Sequence, residues 1–269
     1  MDAPLLTVPS ILHEPLAVTW EPLPDDYILP DDPVENLQRP LLAAALTDAL
    51  GEAGWMRPEM LIASNLGLVA TVAGKTVVKA PDWLYVPQVN PVPAGVIRRS
   101  YTSHTEGAAV AVVMEFLSAT ETGEYSVRPV FPYGKLMFYQ SILQVPTYVL
   151  FDPISVTLQV LQLAAANYQV ATPDEQGRFW IPEMQLFLGL WQGTRLGTTT
   201  HWLRWWDADG QLLLWSSERA EQEHRRAEQE RQRAEQERDR ANQLAAKLRE
   251  LGIDPDAAES LKGSLDQSF

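Results

Sequence analysis

Glu115 stands in the middle of an apolar run, Val112-Val113-Met114-Glu115-Phe116-Leu117. A carboxylate ionised in such surroundings needs a hydrogen-bonded partner or a cation, because desolvating it alone costs several kcal/mol. Asp82 is a second acid in a comparable setting, Ala80-Pro81-Asp82-Trp83-Leu84-Tyr85-Val86. Two strand-borne carboxylates brought side by side in a sheet make a hard oxygen site suited to Mg²⁺ or Mn²⁺. Lys135 is the third candidate. It is the only charge in Gly134-Lys135-Leu136-Met137-Phe138-Tyr139, and Tyr139 follows four residues later on the same helical face. Each of the three also has an ordinary structural reading. Asp82 after Pro81 equally suits a turn or a cap. Glu115 suits the end of a strand that reaches solvent, and Lys135 suits an amphipathic helix from which it snorkels. Spacing alone does not choose, since triples of Asp, Glu and Lys arise readily by chance. Thiol chemistry is excluded by the absence of Cys, and His13, His104, His201 and His224 have no recognisable catalytic context. His104 lies in a loop before the central apolar run and reads as a surface residue, with an approach to the site as the alternative.

These residues need elements to hold them. Residues 1–33 contain seven prolines and little periodicity, which predicts an irregular N-terminal arm. Leu42, Leu46 and Leu50 line one face of a helix over Leu41–Leu50, and Gly51 and Gly54 punctuate its end. Strands are predicted at Met60–Ala63, Leu66–Val72, Thr76–Ala80 and Trp83–Val86. Ala108–Leu117 reads as a central strand, apolar on both faces, with Val110, Val112, Met114 and Phe116 on one and Ala111, Val113 and Leu117 on the other. Gly134–Leu143 is helical in composition. Thr147–Asp152 and Val156–Leu163 read as two further strands, split by Asp152-Pro153. The Trp- and Gly-rich remainder to Trp206 suits strands and loops, and Asp207-Ala208-Asp209-Gly210 is a hairpin signal. The order predicts an α/β domain over 34–216, a mixed sheet flanked by helices.

From Ser217 the composition changes. Arg-Ala-Glu-Gln-Glu recurs at Arg219, Arg226 and Arg233, a repeat of seven. Ala220, Ala227, Ala234, Ala241 and Leu248 mark one seam position; Glu223, Glu230, Glu237, Leu244 and Leu251 mark the other. A strong coiled coil needs apolar residues at both. The segment 217–251 is therefore expected as a long charged helix held by pairs four residues apart, each worth about 0.2–0.5 kcal/mol. A self-associating or partner-docking helix is the alternative. Gly252 and Pro255 are expected to stop it, leaving 252–269 as a flexible tail.

The chain of 269 residues has a net charge of −14, but the charge is uneven. Ser217–Glu250 holds nine acids and nine bases, whereas the first 216 residues hold 22 acids and 11 bases. Such a body repels polyphosphate at long range and argues against strong non-specific DNA binding. A site that reaches phosphate through a metal ion escapes that argument. The N-terminus lacks a basic segment followed by an apolar one, and no apolar run approaches bilayer length. A cytoplasmic protein with no membrane partner is the expectation.

Several segments together go beyond these separate readings. They are Lys79-Ala80-Pro81-Asp82, Val113-Met114-Glu115-Phe116-Leu117-Ser118, Gly134-Lys135 followed by Tyr139, and Val145-Pro146-Thr147-Tyr148-Val149-Leu150-Phe151-Asp152-Pro153. Trp180-Ile181-Pro182-Glu183, Leu188-Gly189-Leu190-Trp191 and the tail ending in Leu251-Gly252-Ile253-Asp254-Pro255 extend the set. In combination they resemble the Uma-two family of restriction-endonuclease-like proteins, within the PD-(D/E)XK nuclease superfamily. The resemblance implies a restriction-endonuclease-like fold, with Asp82 as the PD aspartate and Glu115 at the (D/E) position. The usual lysine would stand where this chain has Leu117. In this family it falls on the following helix, which Lys135 matches. The implied activity is metal-dependent endonucleolytic hydrolysis of phosphodiester bonds in nucleic acid, DNA first. Asp82, Glu115 and the backbone carbonyl of Phe116 would hold Mg²⁺ (or Mn²⁺). One departure is the loop Ser118–Pro132, often basic in the family but acidic here with the single base Arg128. Only Lys79, Arg98, Arg99, Arg128 and Lys135 stand out as phosphate-facing candidates. The alternative is a catalytically silent nuclease-fold protein that docks partners, or forms a homodimer, through its C-terminal helix.

Overall fold

The computed structural model describes residues 17–22, 38–117, 130 and 133–252. In chain order the elements are β1 (Val18–Thr19), α1 (Gln38–Glu52), β2 (Leu61–Ala63), β3 (Gly67–Val72), β4 (Lys75–Lys79), β5 (Trp83–Val86), β6 (Ser100–Thr102) and β7 (Val112–Phe116). Then come α2 (Lys135–Met137), which runs into a π-helical turn at Phe138–Ile142, β8 (Thr147–Asp152), β9 (Thr157–Ala164) and β10 (Asn167–Val170). β11 (Phe179–Ile181), β12 (Leu186–Arg195), β13 (Thr198–Trp206) and α3 (Ser216–Glu250) complete the list. The chain divides into two compact units, 1–215 and 216–269.

The apolar runs around the two acids become the middle of a six-stranded sheet, ordered β10-β9-β8-β7-β5-β2. All its neighbours are antiparallel except β7 and β8. A parallel pair needs a crossover, and the segment between these two strands carries α2 and the π turn. β5 and β7 are buried along their whole lengths because both faces of the sheet are covered. On one face Leu42, Leu46 and Leu50 of α1 and the β11–β13 sheet pack against Trp83, Met114, Phe116, Val149 and Phe151. On the other, a small sheet of β1, β3, β4 and β6, together with α2 and the π turn, packs against Leu84, Val113, Tyr148 and Leu150. The protein is thus the mixed α/β fold that the sequence predicts, with two small sheets sharing the flanks with few helices.

Some local expectations need correction. The strand expected over Ala108–Leu117 is only Val112–Phe116, and Val110 and Ala111 lie on the opposite faces from those predicted. The Tyr85 carbonyl accepts the Ala111 N–H at 2.9 Å, while the Cα partner of Tyr85 is Val112. Two residues therefore oppose one, and such a bulge resets the alternation. Gly134–Leu143 is helical but winds as an α turn followed by a π turn, with the Leu143 N–H donating to the Phe138 carbonyl at 2.9 Å. Within the arm read as irregular, β1 pairs Val18 with Val72 and Thr19 with Thr71. The rest of that arm, Arg128 with most of the Ser118–Pro132 loop, and the tail beyond Gly252 lie outside the described residues. The hairpin signal at Asp207 is a real turn. Its carboxylate accepts the N–H groups of Asp209 and Gln211, and Trp206 bridges to Leu212.

The described part of the second unit contains α3, none of whose residues is buried. Surface pairs such as Glu221 with Arg225 run along it. Gly252 adopts φ +74°, the left-handed conformation of a helix stop. Among the described residues no helix is long and apolar enough to cross a membrane.

Candidate active site

The register of the central sheet places the acids. Trp83 pairs with Met114 and Leu84 with Val113, and Asp82 stands one residue before β5, next to the level that Glu115 occupies in β7. Asp82 is close enough for its charge to act on Glu115, so the two carboxylates are neighbours at the start of β5. Asp82 Oδ2 accepts the backbone N–H of Phe116 at 2.5 Å, which ties the end of β5 to β7. In a strand the N–H and C=O of one residue leave on the same edge, so the Phe116 carbonyl points toward that edge as well.

Glu115 has no solvent exposure. Its Oε2 accepts from Lys135 Nζ at 3.0 Å and its Oε1 from the Tyr139 hydroxyl at 2.9 Å. Lys135 and Tyr139 are four residues apart, and the crossover between β7 and β8 brings both over Glu115. Burial pushes the Glu115 carboxyl up to about 8, reinforced by the neighbouring Asp82 and opposed by the ammonium and hydroxyl of Lys135 and Tyr139. Tyr139 is raised well above the usual phenol range by its own burial and by Glu115 beside it.

Arg39 joins the cluster from the other layer. Its Nη1 lies 3.8 Å from Asp82 Oδ1, and each side chain is only 10% exposed. The sequence reading missed it, although a signal was present. Arg39 precedes Leu42, Leu46 and Leu50 at three, seven and eleven residues, which puts a charge on the packed face of α1. Pro40 is tolerated beside it because the first turn of a helix has no intrahelical use for its N–H.

Lys79 ends β4 opposite Leu68, three residues before Asp82. Arg98 pairs with Glu106 and donates to the Asn90 carbonyl at 2.8 Å, so it is committed to its own loop. Arg99 is exposed just ahead of β6. His104 packs edge-on against Trp20 at 5.0 Å, His201 pairs with Gln192 across β12 and β13, and His224 belongs to α3.

Among the described residues no group of three or more His, Cys, Asp or Glu side chains converges. A divalent ion here would have two carboxylates, supplemented by backbone or water oxygens. That donor set fits Mg²⁺, which keeps several waters and takes one or two carboxylates. A soft thiolate or imidazole metal does not fit.

A family model named Uma2, described as "Putative restriction endonuclease", matches residues 27–198, well over half of the chain. The chain belongs to the Uma2 family. The span shared with Uma2 contains Arg39, Asp82, Glu115, Lys135 and Tyr139, and it ends before α3. Comparison with curated proteins finds no match.

Proposed function

We propose that this Uma2 protein is a metal-dependent endonuclease that hydrolyses phosphodiester bonds of nucleic acid, DNA in the first instance. The observation that carries the reading is the placement of Asp82, one residue before β5 and bound by the Phe116 N–H, near Glu115 of β7, with Lys135 Nζ 3.0 Å from Glu115. Asp82, Glu115 and the Phe116 carbonyl would hold Mg²⁺ or Mn²⁺. Such an ion, when bound, supplies Lewis-acid polarisation of the phosphate and a more acidic water. The chain does the rest by positioning. The Phe116 N–H fixes the Asp82 carboxylate, and Tyr139 fixes one oxygen of Glu115. Lys135 is partly exposed, so its ammonium is available to orient a water or to stabilise charge developing on phosphate oxygens.

A specific observation also favours the catalytically silent reading. Each acid already has a cation of the chain beside it, Arg39 for Asp82 and Lys135 for Glu115. The body is acidic as well. Calorimetric titration with Mg²⁺ of the wild type, Asp82→Asn and Glu115→Gln separates the two readings, followed by a cleavage assay on plasmid and single-stranded DNA. Binding and cleavage in the wild type, with both lost in each variant, are expected. Cleavage that survives Asp82→Asn sinks the assignment. A wild type that neither binds the ion nor cuts DNA moves the protein to the interaction reading.

A further inference from the structure

Both acids of the site are matched by a basic side chain, and the two bases arrive from opposite layers. Lys135 reaches Glu115 from the α2 side, and Arg39 reaches Asp82 from α1 on the other face of the sheet. Arg39 Nη1 and Asp82 Oδ1 form an ion pair at 3.8 Å, across which charge acts. Asp82 has a second contact on its other oxygen, the Phe116 N–H at 2.5 Å. Arg39 adds a positive charge and further donors to the site. A guanidinium presents a planar fork of donors that matches two phosphate oxygens at once, which an ammonium such as Lys135 does not.

We infer that Arg39 is a phosphate-binding residue of this site, held against Asp82 in the free protein and passed to a nucleic-acid phosphate when substrate enters. The inference rests on the nuclease reading and adds a residue and a coupling to it. Arg39 beside Asp82 and Lys135 beside Glu115 set two positive charges against the acids. Those charges restrain the affinity of the acids for a divalent ion. A phosphate draws Arg39 off Asp82 and leaves the acidic pair more negative. Metal and phosphate then bind with positive coupling, each strengthening the other by the same factor.

The test compares the wild type with Arg39→Met and Arg39→Lys. Mn²⁺ affinity is measured by calorimetry on metal-free protein. Binding of a short DNA duplex is measured by fluorescence anisotropy in Ca²⁺ over a range of NaCl concentrations. Arg39→Met is expected to bind Mn²⁺ about fivefold to tenfold more tightly, because a competing cation has gone. It is also expected to bind the duplex more weakly, with a salt slope smaller by about one phosphate contact. Arg39→Lys is expected to keep Mn²⁺ affinity and salt slope near the wild-type values but to lose duplex affinity, since the fork is gone. If Arg39→Met does not fold, as judged by its melting curve, Arg39→Lys decides alone. Wild-type Mn²⁺ and duplex binding that is indifferent to these substitutions overturns the role of Arg39 and leaves the nuclease reading standing. A wild type that binds neither Mn²⁺ nor duplex overturns both.

Discussion

Glu115 is fully buried, yet each of its oxygens has a donor, Lys135 on one and Tyr139 on the other. Burial wins over both donors and holds the carboxyl at about 8, against an ordinary value near 4.5. The native state therefore keeps a proton that the unfolded chain has already released at intermediate pH. By linkage, stability is greatest below the unfolded value and falls as pH rises from about 4.5 through 8, after which this contribution levels off. Urea unfolding of the metal-free wild type at a series of pH values is expected to show that decline, and Glu115→Gln is expected to flatten it. A wild-type curve with no slope between those limits would show that Glu115 is ionised throughout. The same burial bears on metal binding. An ion on Glu115 displaces the proton, so Mg²⁺ affinity is expected to rise with pH up to the same region.

Among the elements, α1 has two duties. Its apolar face fills the core on one side of the central sheet, with Leu42, Leu46 and Leu50 at no exposure, and its first turn delivers Arg39 to Asp82. Leu46→Ala opens a cavity between α1 and the sheet and is expected to cost about 2–5 kcal/mol in denaturant unfolding. A loss below about 1 kcal/mol would mean that the helix can settle into the space, a smaller dependence on its seat than its burial suggests. On the opposite face, α2 and the π turn link β7 to β8, and this crossover brings Lys135 and Tyr139 over Glu115. The site is thus positioned by one layer on each side of the strand that bears its central acid.

For the whole molecule, the division at Ser216 separates a body with two apolar cores from a charged helix with none. Among the described residues, the members of both cores lie no later in the chain than Trp215, and α3 has no buried residue. Removal of residues 216–269 is therefore expected to leave the melting temperature of the body within about 2 °C, the scale of a change of roughly 0.5 kcal/mol in a domain of this size. Scanning calorimetry of full-length and truncated protein checks this. A larger fall would show that the helix, or a partner copy held by it, supports the body. Mg²⁺ binding by the truncated protein is expected to be unchanged, since every residue of the candidate site precedes the cut.

Some of this was legible from residues alone. An acid inside an apolar run announces a buried carboxylate, and a block of repeating Arg-Ala-Glu-Gln-Glu announces an exposed helix, because burial and periodicity are written locally. The resemblance then implied the roles proposed for Asp82, Glu115 and Lys135. Other features depended on pairing between distant segments. The bulge at Ala111 reversed which neighbours face which core, and alternation read along the strand has no way to register an extra residue. Arg39 gave a local hint as a charge on an apolar helix face, but only the stacking of α1 on the sheet brings it to Asp82. The sequence by itself determined which residues could do chemistry and the broad class of fold. The tertiary structure decided which of them meet, because register and layer packing are set by contacts between residues far apart in the chain.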